Sequence, residues 1–249
     1  MRRSFYFGNF EITVREIIAS ISIIAILLLF GVLISNKISE SNIDRNEVYN
    51  KAVKIESTDL FEYGMRTNIG NAFVYGDLEA VDTVTYPEIG GKYMYVKKVK
   101  ERYTKHTMTV THTDSEGNTY TEIETYWTWD VVDSEKKKCK EIMFCGTKFK
   151  SSKIDIPSSS YIKTIKESYY IRYKYYGTPT KFTGTIFTNL RDNTITDDTD
   201  FYKDMNIEET VEWKTSTGIG WLIFFWIVWV VLIGFCVYGF YYIDNHWLE

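Results

Sequence analysis

Two uninterrupted apolar stretches near the ends of a 249-residue chain restrict this sequence more than anything between them. Residues 16 to 35, "EIIASISIIAILLLFGVLIS", are apolar from Ile17 to Ile34 apart from Ser20, Ser22 and small residues, and residues 218 to 243, "GIGWLIFFWIVWVVLIGFCVYGFYYI", contain no charge. A helix needs ~20 apolar residues to cross a bilayer, so each stretch predicts a transmembrane helix. The first has a start signal. Thr13 and Glu16 have the spacing of a capping box, in which hydroxyl and carboxylate satisfy amides that the first turn leaves unpaired. A secretory signal peptide, with Arg2 and Arg3 as its basic end, is the alternative. Its apolar part would be too long and "VLISNKIS" lacks a small-x-small cleavage pattern, which favours an uncleaved helix.

The second stretch carries Trp221, Trp226 and Trp229 early and Tyr238, Tyr241 and Tyr242 late. Such aromatics mark the two membrane interfaces, although Trp226 and Trp229 run deep for a belt. In the first stretch Ala19, Ser22 and Ala25, and Gly31 with Ser35, are small residues suited to helix packing. Two spans place both termini on one side and residues 36 to 217 on the other. Arg2, Arg3 and Arg15 precede the first span, whereas "DNHWLE" after the second has no Lys or Arg. Weighed against Lys37, Arg45, Lys51 and Lys54 on the far side, this predicts cytoplasmic termini and an extracytoplasmic loop.

The expected architecture is a membrane protein with two transmembrane helices flanking one β-rich domain, an antiparallel sheet or small barrel, plus a short juxtamembrane helix. Residues 1–15 read as an N-terminal tail, 16–35 as the first span, and 36–68 as juxtamembrane helix and linker. The β-rich domain follows at 69–190, an acidic return segment at 191–217, the second span at 218–243 and a C-terminal tail at 244–249. The juxtamembrane helix rests on a Ser-x-x-Asp signature at Ser41 and on Ile43, Glu47 and Lys51 at helical spacing. From Ile69 on, strand-like runs rich in Tyr, Thr, Val and Ile alternate with turn clusters such as "PEIGG", "DSEGN" and "GTPTK".

The longest such run, residues 97 to 133, reads as a hairpin turning at Ser115-Glu116-Gly117-Asn118. Ile123, Trp127, Trp129 and Val131 share one parity and Glu122, Glu124 and Asp130 the other, which predicts one buried and one wet face. Val96-Lys97-Lys98-Val99 breaks the alternation and suggests a bulge. Val74, Tyr93, Tyr95, Trp127 and Trp129 are expected in the core. Cys139 and Cys145 are read as free thiols: on one strand they would stand roughly 20 Å apart, too far for a disulfide unless the chain turns between them.

Chemistry-bearing patterns are few. His106 and His112 would lie ~20 Å apart on one strand, so with Asp114 and Glu116 they cannot enclose one metal ion. "PSSSY" lacks a nucleophile elbow, and Asp197, Asp198 and Asp200 read as a solvated acidic run. No enzyme, metal or cofactor is expected. A formal charge of −4 argues against nucleic acid as partner. The candidate binding surface consists of the basic strand Lys97, Lys98, Lys100, Arg102 and Lys105, which could hold anionic headgroups, and the aromatic strand Tyr169, Tyr170, Tyr173, Tyr175 and Tyr176, which has more rings than one buried face can use. Trp221, Tyr238, Tyr241 and Tyr242 are the membrane-interface candidates.

"GDL" at 76 to 78, "VKKVKERYTKH" at 96 to 106 and "TYWTW" at 125 to 129 together resemble the membrane-adjacent β domain of LUMA-type membrane proteins, and more distantly the domain between the spans of GIDE-type membrane ubiquitin ligases. The resemblance covers about a quarter of the chain and implies a β domain held close to a membrane for scaffolding or partner contact. LUMA-type proteins have further spans, and "DNHWLE" cannot be the zinc-binding RING of the ligases, so ligase activity is not expected. The function these readings converge on is a non-catalytic, membrane-anchored protein that binds a protein or lipid partner, or its own copies as an oligomeric scaffold. A small oligomeric channel or membrane-perturbing protein is the alternative, with Ser20 and Ser22 as the only polar intramembrane groups.

Overall fold

The computed structural model describes residues 4–7 and 10–246. Arg2, Arg3 and residues 247–249, which enter the orientation argument, lie outside the described residues. The elements begin with β1 (Ser4–Phe7), β2 (Phe10–Thr13), α1 (Val14–Lys51), β3 (Val53–Ile55) and α2 (Thr58–Thr67). Next come β4 (Gly70–Ala80), β5 (Tyr95–Thr113), β6 (Thr119–Lys138), β7 (Glu141–Phe144) and β8 (Thr147–Lys150). The chain continues through β9 (Ser160–Lys166), β10 (Ile171–Thr178), β11 (Lys181–Leu190), β12 (Phe201–Lys203) and α3 (Ile207–His246). Residues 1–51 with 208–249 form one compact unit and residues 52–207 another.

In the first unit β1 and β2 pair as an antiparallel ribbon where only a tail was expected. Thr13 then starts α1. Its N–H donates to Glu16 Oε2 at 2.6 Å and the Glu16 N–H donates to Thr13 Oγ1 at 3.3 Å, the reciprocal geometry of a capping box. The helix runs 38 residues to Lys51, so the first span and the expected juxtamembrane helix are one element. No Gly or Pro falls between Val32 and Lys51 to stop it. The Ser41 signature is interior, and Asn42 Nδ2 instead donates to the Gly218 carbonyl at 3.0 Å. Similarly α3 starts at Ile207, so the last part of the expected return segment is helical, with Glu208 and Glu209 at the positive end of the helix. Both helices are long and apolar enough to cross a membrane.

The two helices pair antiparallel. Arg15 meets Asp244 at 3.2 Å, Trp229 Nε1 donates to the Leu27 carbonyl at 3.0 Å, Trp226 Nε1 donates to Ser35 Oγ at 3.1 Å, and Lys214 lies 5.1 Å from the Tyr49 ring centre. Trp226 and Trp229 therefore serve the helix interface rather than a belt. Gly31 makes this possible, because a Cβ there would stand 2.5 Å from Trp229 Nε1. Ser22 and Ala25 are exposed and take no part in it. The Ser20 and Ser22 hydroxyls donate to the Glu16 and Ile18 carbonyls of their own helix.

The second unit holds two open sheets rather than a barrel. One has the order β12-β11-β4-β7-β8, with β3 added parallel to β4 on the edge that β7 also uses. Its core joins Phe61 and Met65 of α2 to Val74, Leu78, Ile142, Phe144 and Ile186, all at most 2 % exposed. Cys139 and Cys145 are buried in this core as free thiols. Between them the chain runs extended through β7, and it reverses only at Cys145-Gly146, where φ is 46° and 79°.

The other sheet has the order β6-β5-β10-β9. Its hairpin β5–β6 turns at Gly117, whose φ is +87°, while the Asp114 carboxylate accepts the Glu116 and Asn118 N–H groups. The register slips at Val132: Lys100 faces Asp133 and Glu101 faces Val131. The bulge is thus in the return strand, not at residues 96–99. There the alternation fails because Val96 and Val99, of opposite parity, are both buried at 0 % and 6 % exposure. Strand β10 covers β5 only from Tyr95 to Arg102, so the hairpin beyond is a two-stranded ribbon. The buried face expected for the return strand is consequently not buried: Ile123 is 70 %, Val131 64 % and Trp127 45 % exposed. Hydrophobic alternation signals burial only where a second layer exists to supply it.

Candidate functional site

Cross-strand register decides which side chains of the four-stranded sheet share a face, because directly opposed residues project to the same side. One face, here the basic face, carries Lys97 and Lys105 from β5, Lys136 and Lys138 from β6, Arg172 and Lys174 from β10, and Lys166 from β9. The only carboxylate these strands place there is Glu101. The opposite face carries Lys98, Lys100 and Arg102, but also Glu122, Glu124, Asp130, Asp133 and Glu135. The basic strand read from the sequence is thus divided: Lys97 and Lys105 on one side, Lys98, Lys100 and Arg102 on the other.

Each group has distinct surroundings. On the mixed face, Lys98 meets Glu88 at 3.1 Å and lies 4.7 Å from the Tyr173 ring centre and 5.5 Å from that of Tyr86. Burial opposes its charge, yet the Glu88 contact prevails and its pKa lies above the ordinary lysine value. Tyr175, at 1 % exposure, packs with Tyr86 and Val96 in a small second core, and is a structural residue. Tyr173 borders that core. Lys100 lies 5.8 Å from the Tyr173 ring centre, and Arg102 is exposed opposite Asp130. Further out, His106 Nε2 and Asp130 Oδ2 are 2.7 Å apart and Thr128 Oγ1 donates to Asp130 Oδ1 at 2.7 Å. The Thr128 bond, aided by His106 and against desolvation, holds the Asp130 carboxyl below its usual range.

On the basic face, Glu101 is 6 % exposed and accepts from Arg172 Nε at 2.5 Å and Lys174 Nζ at 3.0 Å. Desolvation works to raise its pKa, but the Lys174 and Arg172 bonds outweigh it and the net shift is downward. The Arg172 guanidinium also lies 4.1 Å from the Trp129 ring centre. Tyr103 stacks on Trp127 at 5.1 Å, and Trp127 approaches Tyr170 at 6.3 Å. A shallow cleft is lined by Tyr103, Trp129, Lys166, Glu167, Ser168 and Tyr169. Tyr169 and Tyr170 are 77 % and 51 % exposed, and Tyr176 shares this face opposite Lys97. Lys97, Lys105, Lys136, Lys138 and Lys166 have no ion-pair partner among the described residues.

The pairing of Glu101 with Arg172 and Lys174 was not read from the sequence. It joins positions 71 residues apart, and only the β5–β10 register brings them together. No three His, Cys, Asp or Glu side chains converge as a metal site among the described residues. Asp197 pairs with Lys153 at 2.8 Å, and Asp200 accepts from the Tyr202 hydroxyl at 3.0 Å. Trp221, Tyr238 and Tyr242 are exposed on α3 and Tyr241 is half-buried. No protein-family model, curated protein or solved structure significantly matches this chain.

Proposed function

We propose that the chain is a non-catalytic, membrane-anchored binding protein: α1 and α3 hold it in the bilayer, and the β unit, through its exposed hairpin, engages a partner at the membrane surface. The observation that supports this most is the distal ribbon of β5 and β6. Its strands continue past the end of β10 with Ile123, Tyr126 and Trp127 exposed at 70 %, 45 % and 45 %. A ribbon without a second layer adds little to stability, whereas exposed aromatic and aliphatic side chains grouped on one projection are typical of contact surfaces. The resemblance to LUMA-type β domains points the same way, and the topology proposed with it has both termini cytoplasmic and the β unit outside.

A photo-crosslinking amino acid at Ile123, and separately at exposed Lys148 on the other sheet, tests the reading in cells. Membranes are first stripped with alkaline carbonate. Retention of the chain with crosslinks to lipid or protein from position 123 but not 148 is expected. Release by carbonate, or equal crosslinking from both positions, would contradict it.

A further inference from the structure

We propose that the basic face of the four-stranded sheet docks on a bilayer containing anionic phospholipid, with Lys105, Lys136, Lys138 and Lys166 over the headgroups and Trp127 and Val131 at their depth. The inference rests on the anchored-binder reading above and names its ligand. Charge complementarity is the first argument. These four lysines have no carboxylate partner among the described residues; the single acid that the strands place on that face is already neutralised by Arg172 and Lys174, and Glu167, at the edge of the cleft, accepts from the Tyr173 hydroxyl at 3.1 Å. The five acids of β6 all lie on the opposite face. A surface with one sign of charge attracts an anionic plane that a mixed surface would not.

The residue types give the second argument. The free cations are all lysines, which suit diffuse attraction to a charged surface; the one arginine on the face is committed to Glu101 and Trp129. Between them stand Trp127 and the aliphatic Val131, 45 % and 64 % exposed. Tryptophan prefers the headgroup region, and a valine in that position finds an apolar neighbour among lipid glycerol and acyl carbons. A single-stranded polynucleotide would also use cations and rings, but it would seek arginine for stacking and phosphate forks and gain nothing from Val131.

The full chain, assembled into phosphatidylcholine nanodiscs, is mixed with vesicles of phosphatidylcholine alone or with phosphatidylserine, and flotation is measured. Capture by the anionic vesicles only, weakened by salt, is expected. Each lysine is worth ~1 kcal/mol near such a surface, about fivefold, so Lys136→Gln with Lys138→Gln should lower affinity ~25-fold. Lys105→Gln with Lys166→Gln should do the same, and Lys148→Gln with Lys150→Gln, on the other sheet, should change nothing. Equal capture by neutral vesicles, or anionic capture indifferent to both basic-face pairs, would overturn the inference. So would lysine-dependent binding of a single-stranded oligonucleotide without vesicle capture. A chain that stays soluble and enters no disc defeats the anchor reading instead, and its own binding to the same vesicles still decides this one.

Discussion

Substituting Gly31→Ala should unlock the helix hairpin by an amount that depends on Trp229. A Cβ at residue 31 would sit 2.5 Å from Trp229 Nε1, 2.8 Å from Cδ1 and 3.2 Å from Cε2. Unbonded heavy atoms prefer roughly 3.5–4.0 Å, so the indole must retreat by about 1 Å. It is not free to do so, because it donates to Leu27 O at 3.0 Å and stacks on Phe225 at 5.4 Å. Overpacking costs about 1–3 kcal/mol, and an interhelical hydrogen bond in lipid contributes about 0.6 kcal/mol and at most ~1.7. Alanine returns about 1 kcal/mol through helix propensity, leaving a net loss of about 2 kcal/mol. With Trp229→Ala already in place the clash disappears, and Gly31→Ala should become neutral or stabilising by up to about 1 kcal/mol. Helix pairing can be followed in detergent by energy transfer between dyes at positions 37 and 217, in a Cys236→Ser background, over a dodecyl sulfate titration. A coupling of about 2–3 kcal/mol is expected; additivity within ~0.5 kcal/mol would refute the close approach at Gly31.

Three further outcomes follow from the β unit. Because the folded pKa of Glu101 is depressed, its contribution is present above the unfolded value of about 4.3 and lost as pH falls through the lower folded value; the urea midpoint of the native chain should therefore fall more steeply below pH 4 than that of Glu101→Gln, and parallel profiles would contradict the pairing. Ile123→Ser should leave the urea midpoint within about 0.5 kcal/mol of the native value, whereas Leu78→Ala, at a fully buried site, should cost about 2–5 kcal/mol; similar losses would mean the ribbon is covered after all. Burial, more than the nearby Asp82, pushes the Cys139 thiol up to about 11, so at pH 8 it should react with iodoacetamide only after unfolding; rapid native modification, read by mass spectrometry, would show otherwise.

Much of the coarse plan was legible in the primary structure, because apolar length and turn chemistry are local. The two apolar segments, the Thr13–Glu16 cap spacing and the Gly117 turn all depend on residues within a few positions of one another. The helix ends were less legible: a Ser-x-x-Asp pattern such as Ser41–Asp44 caps a helix only where the preceding residues are not already helical. Trp226 and Trp229 read as interface aromatics, but their indole N–H groups are taken by Ser35 and the Leu27 carbonyl on a distant helix. Their spacing against Gly31 and Ser35 was the available signal. In the β unit, alternation told which residues share a side without telling whether anything covers that side, and Ile123, Trp127 and Val131 are the cost of that ambiguity. Nothing local marks Glu101, because its partners Arg172 and Lys174 come only with the β5–β10 register.

The extra residue at Val132 acts as a phase shift in the return strand. Upstream of it the even-numbered positions Glu122, Glu124 and Asp130 project to one side; downstream it is the odd-numbered Asp133 and Glu135 that do so, and the even-numbered Lys136 and Lys138 project to the other. Were the two segments written in one continuous frame, Lys136 and Lys138 would join the upstream acids, Asp133, Glu135 and Lys137 would move across, and both sides would mix acids with bases. A one-residue insertion or deletion in this edge strand can therefore transfer five charges between sides without a single substitution, so the electrostatic character of the sheet is set as much by chain length at one point as by composition.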